Sequence, residues 1–145
     1  MRLRLAVRAA ILDGEDRLLL VNAYPGAASD LWCLPGGGVE ADQSLTRNLA
    51  REVLEETGLA ITIGAPILLN EFHSTAHRFR QVDVVFRATV TGGAIRMADP
   101  EGVVNRFRWV TRAALPSLRH KPDSLAAAVW GNHAALHDPD EPIVA

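Results

Sequence analysis

The sequence predicts a single α/β domain: a mixed sheet held between helices on its two faces. Three observations lead there. Several runs alternate apolar and polar residues between turn signals, the pattern of strands buried on one face. One segment in the first half instead repeats its apolar residues at helical spacing and carries its own start and stop signals. The elements follow the order β-β-short β-helix-β-β-β-helix. That order does not alternate strand and helix throughout, which argues against a doubly wound parallel sheet.

Size and charge agree with that reading. A chain of 145 residues, 48% of them hydrophobic, suits one compact domain with a sizeable core. The expected domain covers residues 1–137, followed by a loose tail at 138–145. The net charge of −2 supplies no basic field for nucleic acid, so no nucleic-acid partner is expected. The one cysteine, Cys33, excludes an intrachain disulfide and fits a reducing, cytoplasmic setting. The first residues carry charges throughout and do not read as a signal peptide. No stretch approaches the ~20 apolar residues of a membrane span.

In chain order, residues 2–12 alternate, with Leu3, Leu5, Val7, Ala9 and Ile11 on one side and Arg2, Arg4 and Arg8 on the other. Asp13-Gly14 is a hairpin signal, so residues 17–21 are expected to pair antiparallel with the first strand. Arg4 and Arg8 point out along one strand face, where they either contact substrate phosphate or merely solvate the sheet. A loop at 23–30 leads to a short strand at 31–34. Trp32 there is a packing residue or a platform for a nucleobase. Cys33 alternates as a strand residue and reads as core. Gly36, Gly37 and Gly38 let the backbone approach an ion or a phosphate closely.

The helix is expected from Ser44, with Asp42 or Ser44 as N-cap, to Thr57. Gly58 then takes the left-handed position, and Leu59 folds back behind it. On a helical wheel Leu49, Ala50, Val53 and Leu54 form the buried sector. Glu52, Glu55 and Glu56 share an adjacent sector. Glu52 and Glu56 are an i, i+4 pair whose repulsion costs roughly 0.2–0.5 kcal/mol when exposed. They also lie in the half of the helix where the dipole disfavours anions. A hard cation removes both penalties, and carboxylate oxygens suit Mg²⁺ or Mn²⁺.

Beyond the helix, residues 60–70 are strand-like with an interruption at Gly64-Ala65-Pro66, and 71–80 read as a polar loop containing His73, His77, Arg78 and Arg80. That cluster either holds phosphate or ribose oxygens or is simply solvated. His73 and His77 lack a third ligand at zinc spacing. A strand follows at 81–90, and 94–97 can extend the sheet. Asp99 to Gly102 is an acidic loop before a strand at 106–110. A short helix is expected at 111–118 and a last helix at 125–136, with Leu125, Val129, Trp130, His133 and Leu136 as its apolar stripe. The apolar residues of the first strand and last helix suit either a homodimer or core packing.

The stretch from Gly37 to Leu59 resembles the Nudix box. Gly37, Arg51, Glu52, Val53, Glu55, Glu56, Gly58 and Leu59 stand at its specified positions. Gln43 replaces the glutamate that the box places there, keeping a hydrogen-bonding oxygen but not the charge. The resemblance covers essentially the whole chain and implies an α/β/α sandwich. It implies a metal-dependent hydrolase that cuts the diphosphate of a nucleoside diphosphate linked to another group, such as a nucleoside triphosphate or a nucleotide sugar. It implies Glu52 and Glu56 as main metal ligands with the Gly36 carbonyl, Glu55 and Glu101 as further ones, and Mg²⁺ or Mn²⁺ as the ion. Arg51 orients the carboxylates. The general base is Glu55, Glu101 or Glu52, with Asp99 the alternative to Glu101 as the loop carboxylate. Arg4, Trp32, Gly37, His77 and Arg78 are candidate substrate contacts. The family's marks for ADP-ribose, dinucleoside polyphosphate and NADH substrates are missing. The competing reading is a nucleotide sensor of weak activity, supported by Gln43. Removal of an RNA cap fits the charge and the single domain poorly.

Overall fold

A computed structural model describes residues 1–26, 28–132, 134–138 and 140–144. Its larger sheet runs in the order β4 (Gly36–Gly38), β1 (Arg2–Ile11), β6 (Phe79–Gly93), β5 (Leu59–Ser74), β8 (Leu136–His137), and β9 (Glu141–Pro142) also pairs with β5. β1 is parallel to β6 and antiparallel to β4, while β5 and β6 form a long antiparallel hairpin, so the sheet is mixed as expected. A smaller sheet orders β3 (Trp32–Cys33), β2 (Leu18–Asn22) and β7 (Phe107–Val110).

Helix α1 (Leu45–Thr57) covers one face of the large sheet. Its Leu49 and Val53 pack on Val7, Ala9 and Ile11 of β1 and on Phe86 and Ala88 of β6. Full burial of each such side chain is worth about 1.5–3 kcal/mol. The opposite face carries Ala10, Leu68 and Val85. It packs on Leu18 and Leu20 of β2, Val110 of β7, and Leu125, Ala128 and Val129 of the short helix α2 (Leu125–Trp130). The ends of α1 are as expected. Ser44 Oγ accepts from the Arg47 N–H, and Gly58 sits at φ 79° with its N–H bonded to the Leu54 carbonyl. The buried sector is shifted, however. Leu54 is 53% exposed, and Asn48, Glu56 and Thr57 are buried beside Leu49 and Val53.

Other expectations are corrected. The turn at Asp13 forms, with the Asp13 carboxylate accepting from Arg17, but ladder pairing of the two segments is limited to the Leu12–Leu18 bridge. Both edges of β1 are taken by β4 and β6, and β2 is buried along its length, so it crosses into the second sheet. The supposed loop at 71–80 is mostly strand, and only residues 75–78 turn. Residues 94–97 form no strand; the Arg96 N–H instead bonds the Thr57 carbonyl at the end of α1. Residues 115–117 form a 3-10 turn rather than a helix. α2 stops at Gly131, not at Leu136; His133 of the expected stripe lies outside the described residues. Leu136 and His137 pair with Leu68 and Leu69 of β5, and within the expected tail at 138–145 Glu141 and Pro142 pair with Phe72 and His73. Gly64 to Pro66 does not end β5 but shifts its register against β6.

Candidate active site

Strand register builds the floor of the main cleft. On the sheet face away from α1, β1 presents Arg4 and Arg8. Arg4 stands beside Gln81 and Arg8 beside Val85 in the ladder, and Asp83 lies between them opposite Ala6. The antiparallel ladder then adds Asn70 opposite Asp83 and Phe72 opposite Gln81. These residues line a cavity of about 620 Å³, together with Glu40, Arg51, Glu52, Glu55 and Glu56.

α1 lies on the other side of the sheet, yet its acidic residues reach this cleft over the edge strand β4. That strand is three glycines, so no side chain stands in the way. A Cβ on Gly37 would lie 2.9 Å from the Glu52 carboxylate. The Gly36 N–H donates to Glu56 Oε2 at 3.2 Å. At Gly36 the backbone has φ 147° and a Cβ would strike the Val7 carbonyl oxygen, so glycine is required.

The carboxylates are electrostatically loaded. Burial pushes the Glu56 carboxyl up to about 8; Glu52 and Asp99 add to the rise, while Arg8 and the Gly36 N–H oppose it. Burial also raises Glu52, helped by Glu55 and Glu101 and opposed by Arg51 and Arg8. Arg51 is the hub of the exposed side. It contacts Glu55 at 3.2 Å, Glu52 at 3.4 Å, Glu40 at 3.5 Å and Gln43 Oε1 at 3.3 Å. Gln43 therefore braces Arg51 and is absent from the cleft lining. At Arg8, burial disfavours the charge, but Asp83 foremost holds the guanidinium above its ordinary value.

The loop carboxylates divide. Asp99 spends its oxygens on its own loop, accepting from the N–H groups of Glu101, Val103 and Val104. Both Asp99 and Glu101 line the cleft; the charge of Asp99 reaches Glu56 and that of Glu101 reaches Glu52.

Gly36, Gly37, Arg4, Arg51, Glu52, Glu55, Glu56 and Glu101 are thus brought together around one cleft. Trp32, His77 and Arg78 are not among its lining residues. Trp32 lies 5.5 and 5.6 Å from the Arg106 and Arg108 guanidiniums, and Arg78 occupies the β5–β6 turn at φ 49°. Cys33 lines the cleft, but burial pushes its thiol up to about 11, which suits an inert residue.

Several lining residues carry a signal of burial that strand periodicity leaves unused, although it marks Arg8 as an outward charge. Arg8 within Ala6-Val7-Arg8-Ala9-Ala10 and Asp83 within Val82-Asp83-Val84-Val85 are charges inside apolar strands, and a buried charge needs a partner. They pair at 3.5 Å. Asn70 is fully buried, its amide donating to Asp138 at 2.6 Å, while its Oδ1 has no hydrogen-bond partner among the described residues.

Among the described residues no three His, Cys, Asp or Glu side chains converge as a ready metal cage. The donors around Gly36 and Gly37 are nonetheless all hard oxygens, and Glu52 and Glu56 lie beside one another with raised proton affinities. That set fits an ion held by one or two carboxylates and completed by water and phosphate, the usual manner of Mg²⁺.

Residues 2–130 match the NUDIX domain. A putative 8-oxo-dGTP diphosphatase 2 of Mycobacterium tuberculosis is 30% identical over 147 residues, covering 92% of this chain and 96% of that protein. The mouse 8-oxo-dGDP phosphatase NUDT18 is 28% identical over 112 residues, covering 77% of this chain; the match spans only 33% of that longer protein. The crystal structure of a MutT NUDIX hydrolase from Burkholderia pseudomallei superposes with a TM-score of 0.75 at 24% identity, covering 89% of this chain and 98% of that one. With Gly37, Arg51, Glu52, Glu55 and Glu56 of the box gathered at one cleft and a domain match over residues 2–130, the chain belongs to the Nudix family.

Proposed function

We propose that this chain is a pyrophosphohydrolase dependent on Mg²⁺ or Mn²⁺. It cuts the diphosphate of a nucleoside diphosphate linked to another group, with a nucleoside triphosphate or a nucleotide sugar as the substrate class. The observation that carries the reading is the Glu52–Glu56 pair facing the glycine strand at the rim of an enclosed cleft. The names of the relatives support it: the mycobacterial protein is a putative 8-oxo-dGTP diphosphatase and the mouse protein an 8-oxo-dGDP phosphatase.

Glu52, Glu56 and the Gly36 carbonyl would hold the ion, with Glu55 and Glu101 within its surroundings. When bound, such an ion neutralises pyrophosphate charge and lowers the pKa of a water molecule. The remaining work belongs to side chains. Arg51 keeps Glu52 and Glu55 oriented by charge-assisted hydrogen bonds. Arg4, on the cleft floor beside Gln81 at 2.8 Å, is placed to meet a phosphate oxygen or a base edge. Glu101 takes the role of general base, because the Asp99 carboxylate already accepts from three N–H groups of its loop while that of Glu101 lines the cleft. Phe72 and Asn70 Oδ1, which is unpaired among the described residues, give the inner cleft an apolar wall and an acceptor suited to a base.

The test is product release from a panel of nucleoside triphosphates, 8-oxo-dGTP and nucleotide sugars with Mg²⁺ or Mn²⁺, run beside Glu56→Gln. Cleavage that Glu56→Gln abolishes supports the reading. Tight nucleotide binding with no cleavage across the panel would replace it with a binding module.

A further inference from the structure

We propose that Arg8 is a positioning residue of this site: anchored on Asp83, its guanidinium fixes the Leu34 and Gly36 carbonyls, and so holds the glycine strand in the register that lets Glu52 and Glu56 face the cleft. The kinetic part of the argument rests on the hydrolase reading; the structural part does not.

β4 has no side chains of its own to hold it: the ladder to β1 is flanked by the Ala9 N–H on the Pro35 carbonyl and the Val39 N–H on the Leu5 carbonyl, and Asn48 of α1 donates to the Gly38 carbonyl at 3.0 Å. The strand is three glycines paired to β1 over three positions, Ala6–Gly38, Val7–Gly37 and Arg8–Gly36. Each glycine loses more conformational freedom on ordering than an alanine would, and none has a side chain to pack. Two groups clamp Gly36 from opposite sides. Glu56 Oε2 takes its N–H at 3.2 Å, and Arg8 Nη1 reaches its carbonyl at 3.4 Å. The same Nη1 also donates to the Leu34 carbonyl at 3.2 Å, on the far side of Pro35. Arg8 Nε faces Asp83 Oδ2 at 3.5 Å, across the ladder on β6. The guanidinium thus joins β6, β1 and the turn into β4, and through Gly36 it joins α1.

Its fork geometry matters. A guanidinium presents donors in several directions from one plane, whereas a lysine ammonium at the end of a flexible stem cannot hold two carbonyls and a carboxylate in the same arrangement. Asp83 is in turn held by Gln81 Nε2 at 2.6 Å, and Gln81 by Arg4 at 2.8 Å, so the anchor is itself fixed. The Arg8 side chain is 21% exposed and lines the cleft, so a direct phosphate contact is the competing role.

The experiment uses Arg8→Lys, Asp83→Asn and the double variant Arg8→Met with Asp83→Leu, which removes both charges at once and leaves neither buried alone. Two quantities are read in the full chain: amide exchange across residues 34–38, and kcat and KM on whichever panel nucleotide is cut. Loss of positioning predicts faster exchange at 34–38 in all three. It also predicts a fall in kcat of roughly 10- to 100-fold for Arg8→Lys and the double variant, a smaller fall for Asp83→Asn, and KM within about threefold of wild type. A rise in KM with kcat preserved, or full rescue by lysine, would show a phosphate contact and overturn the proposal. Unchanged exchange at 34–38 overturns it as well. If the wild type cuts nothing in the panel, the hydrolase reading falls, and the exchange result alone decides the positioning role.

Discussion

Helix α1 and the C-terminal segment at 131–144 both shape the cleft, by opposite means. α1 carries its own instructions. Its cap, its glycine stop and its apolar spacing all lie within sixteen residues, from Ser44 to Leu59. The C-terminal segment has almost none. Its two-residue strands β8 and β9 exist because β5 offers a free edge, and its Asp138 is held by Asn70 and Ser124, both at 2.6 Å. Lys121 reaches Glu141 at 2.9 Å, and Tyr24 donates to the Val144 carbonyl at 2.7 Å. A self-specified element can afford charges that serve chemistry, as α1 does with Glu52 and Glu56. A borrowed element must spend its polar groups on attachment.

The largest expected effect falls on the helix. Glu56→Gln should reduce turnover by at least about a hundredfold, which is roughly 2.7 kcal/mol in the barrier. The melting temperature should not fall, since the buried carboxyl is already largely neutral below about pH 8 and the amide keeps an oxygen to accept the Gly36 N–H. A variant that melts early while keeping its turnover would mean that Glu56 serves the fold.

The second effect is the pH dependence of the same group. Its folded pKa of about 8 stands above the ordinary 4.5, so the folded, metal-free protein holds a proton that the unfolded chain releases between those values. Stability in EDTA should therefore be full below about pH 4.5 as far as Glu56 is concerned, and should fall as pH rises toward about 8. Denaturant titrations at pH 5.5 and 8.5 measure it, and Glu56→Gln should flatten the difference. An equal slope in both proteins would remove Glu56 as the source.

The third prediction reverses the comparison. Asp138→Ala leaves the Asn70 amide and the Ser124 hydroxyl without their acceptor and should cost about 1–3 kcal/mol by chemical denaturation. KM should rise more than kcat falls, because the segment walls the cleft through Ile143 and Val144 rather than meeting the carboxylates. The smallest is Ser44→Ala, which removes the acceptor of the Arg47 N–H and should cost about 1 kcal/mol. If it costs nothing, α1 is held by packing alone and the contrast between the two regions weakens.

The legible parts of the site follow the same division. Glu52, Glu55 and Glu56 were readable because helical spacing puts them in one sector. Arg51, Gly36 and Gly37 were readable through the resemblance to the Nudix box, since three glycines alone indicate only a loop. Trp32, His77 and Arg78 were drawn in by residue type, but the strand pairings set them outside the cleft lining. Arg8 reads as an outward strand charge and Asp83 is not singled out, because their partnership appears only when the parallel pairing of β1 with β6 joins them.

The sequence by itself determined where the main strands and α1 lie, which helix face is acidic, and where a side-chain-free backbone was needed. Those properties depend on spacings of a few residues and on local capping chemistry. Only the tertiary structure decided that β2 leaves β1 for a second sheet, that Glu56 is buried against Gly36, that Arg8 meets Asp83, and that the last residues close the edge of β5. Each of these is a contact between segments far apart in the chain. Periodicity says which face of a strand is buried; the competition among all exposed edges and apolar faces decides what buries it.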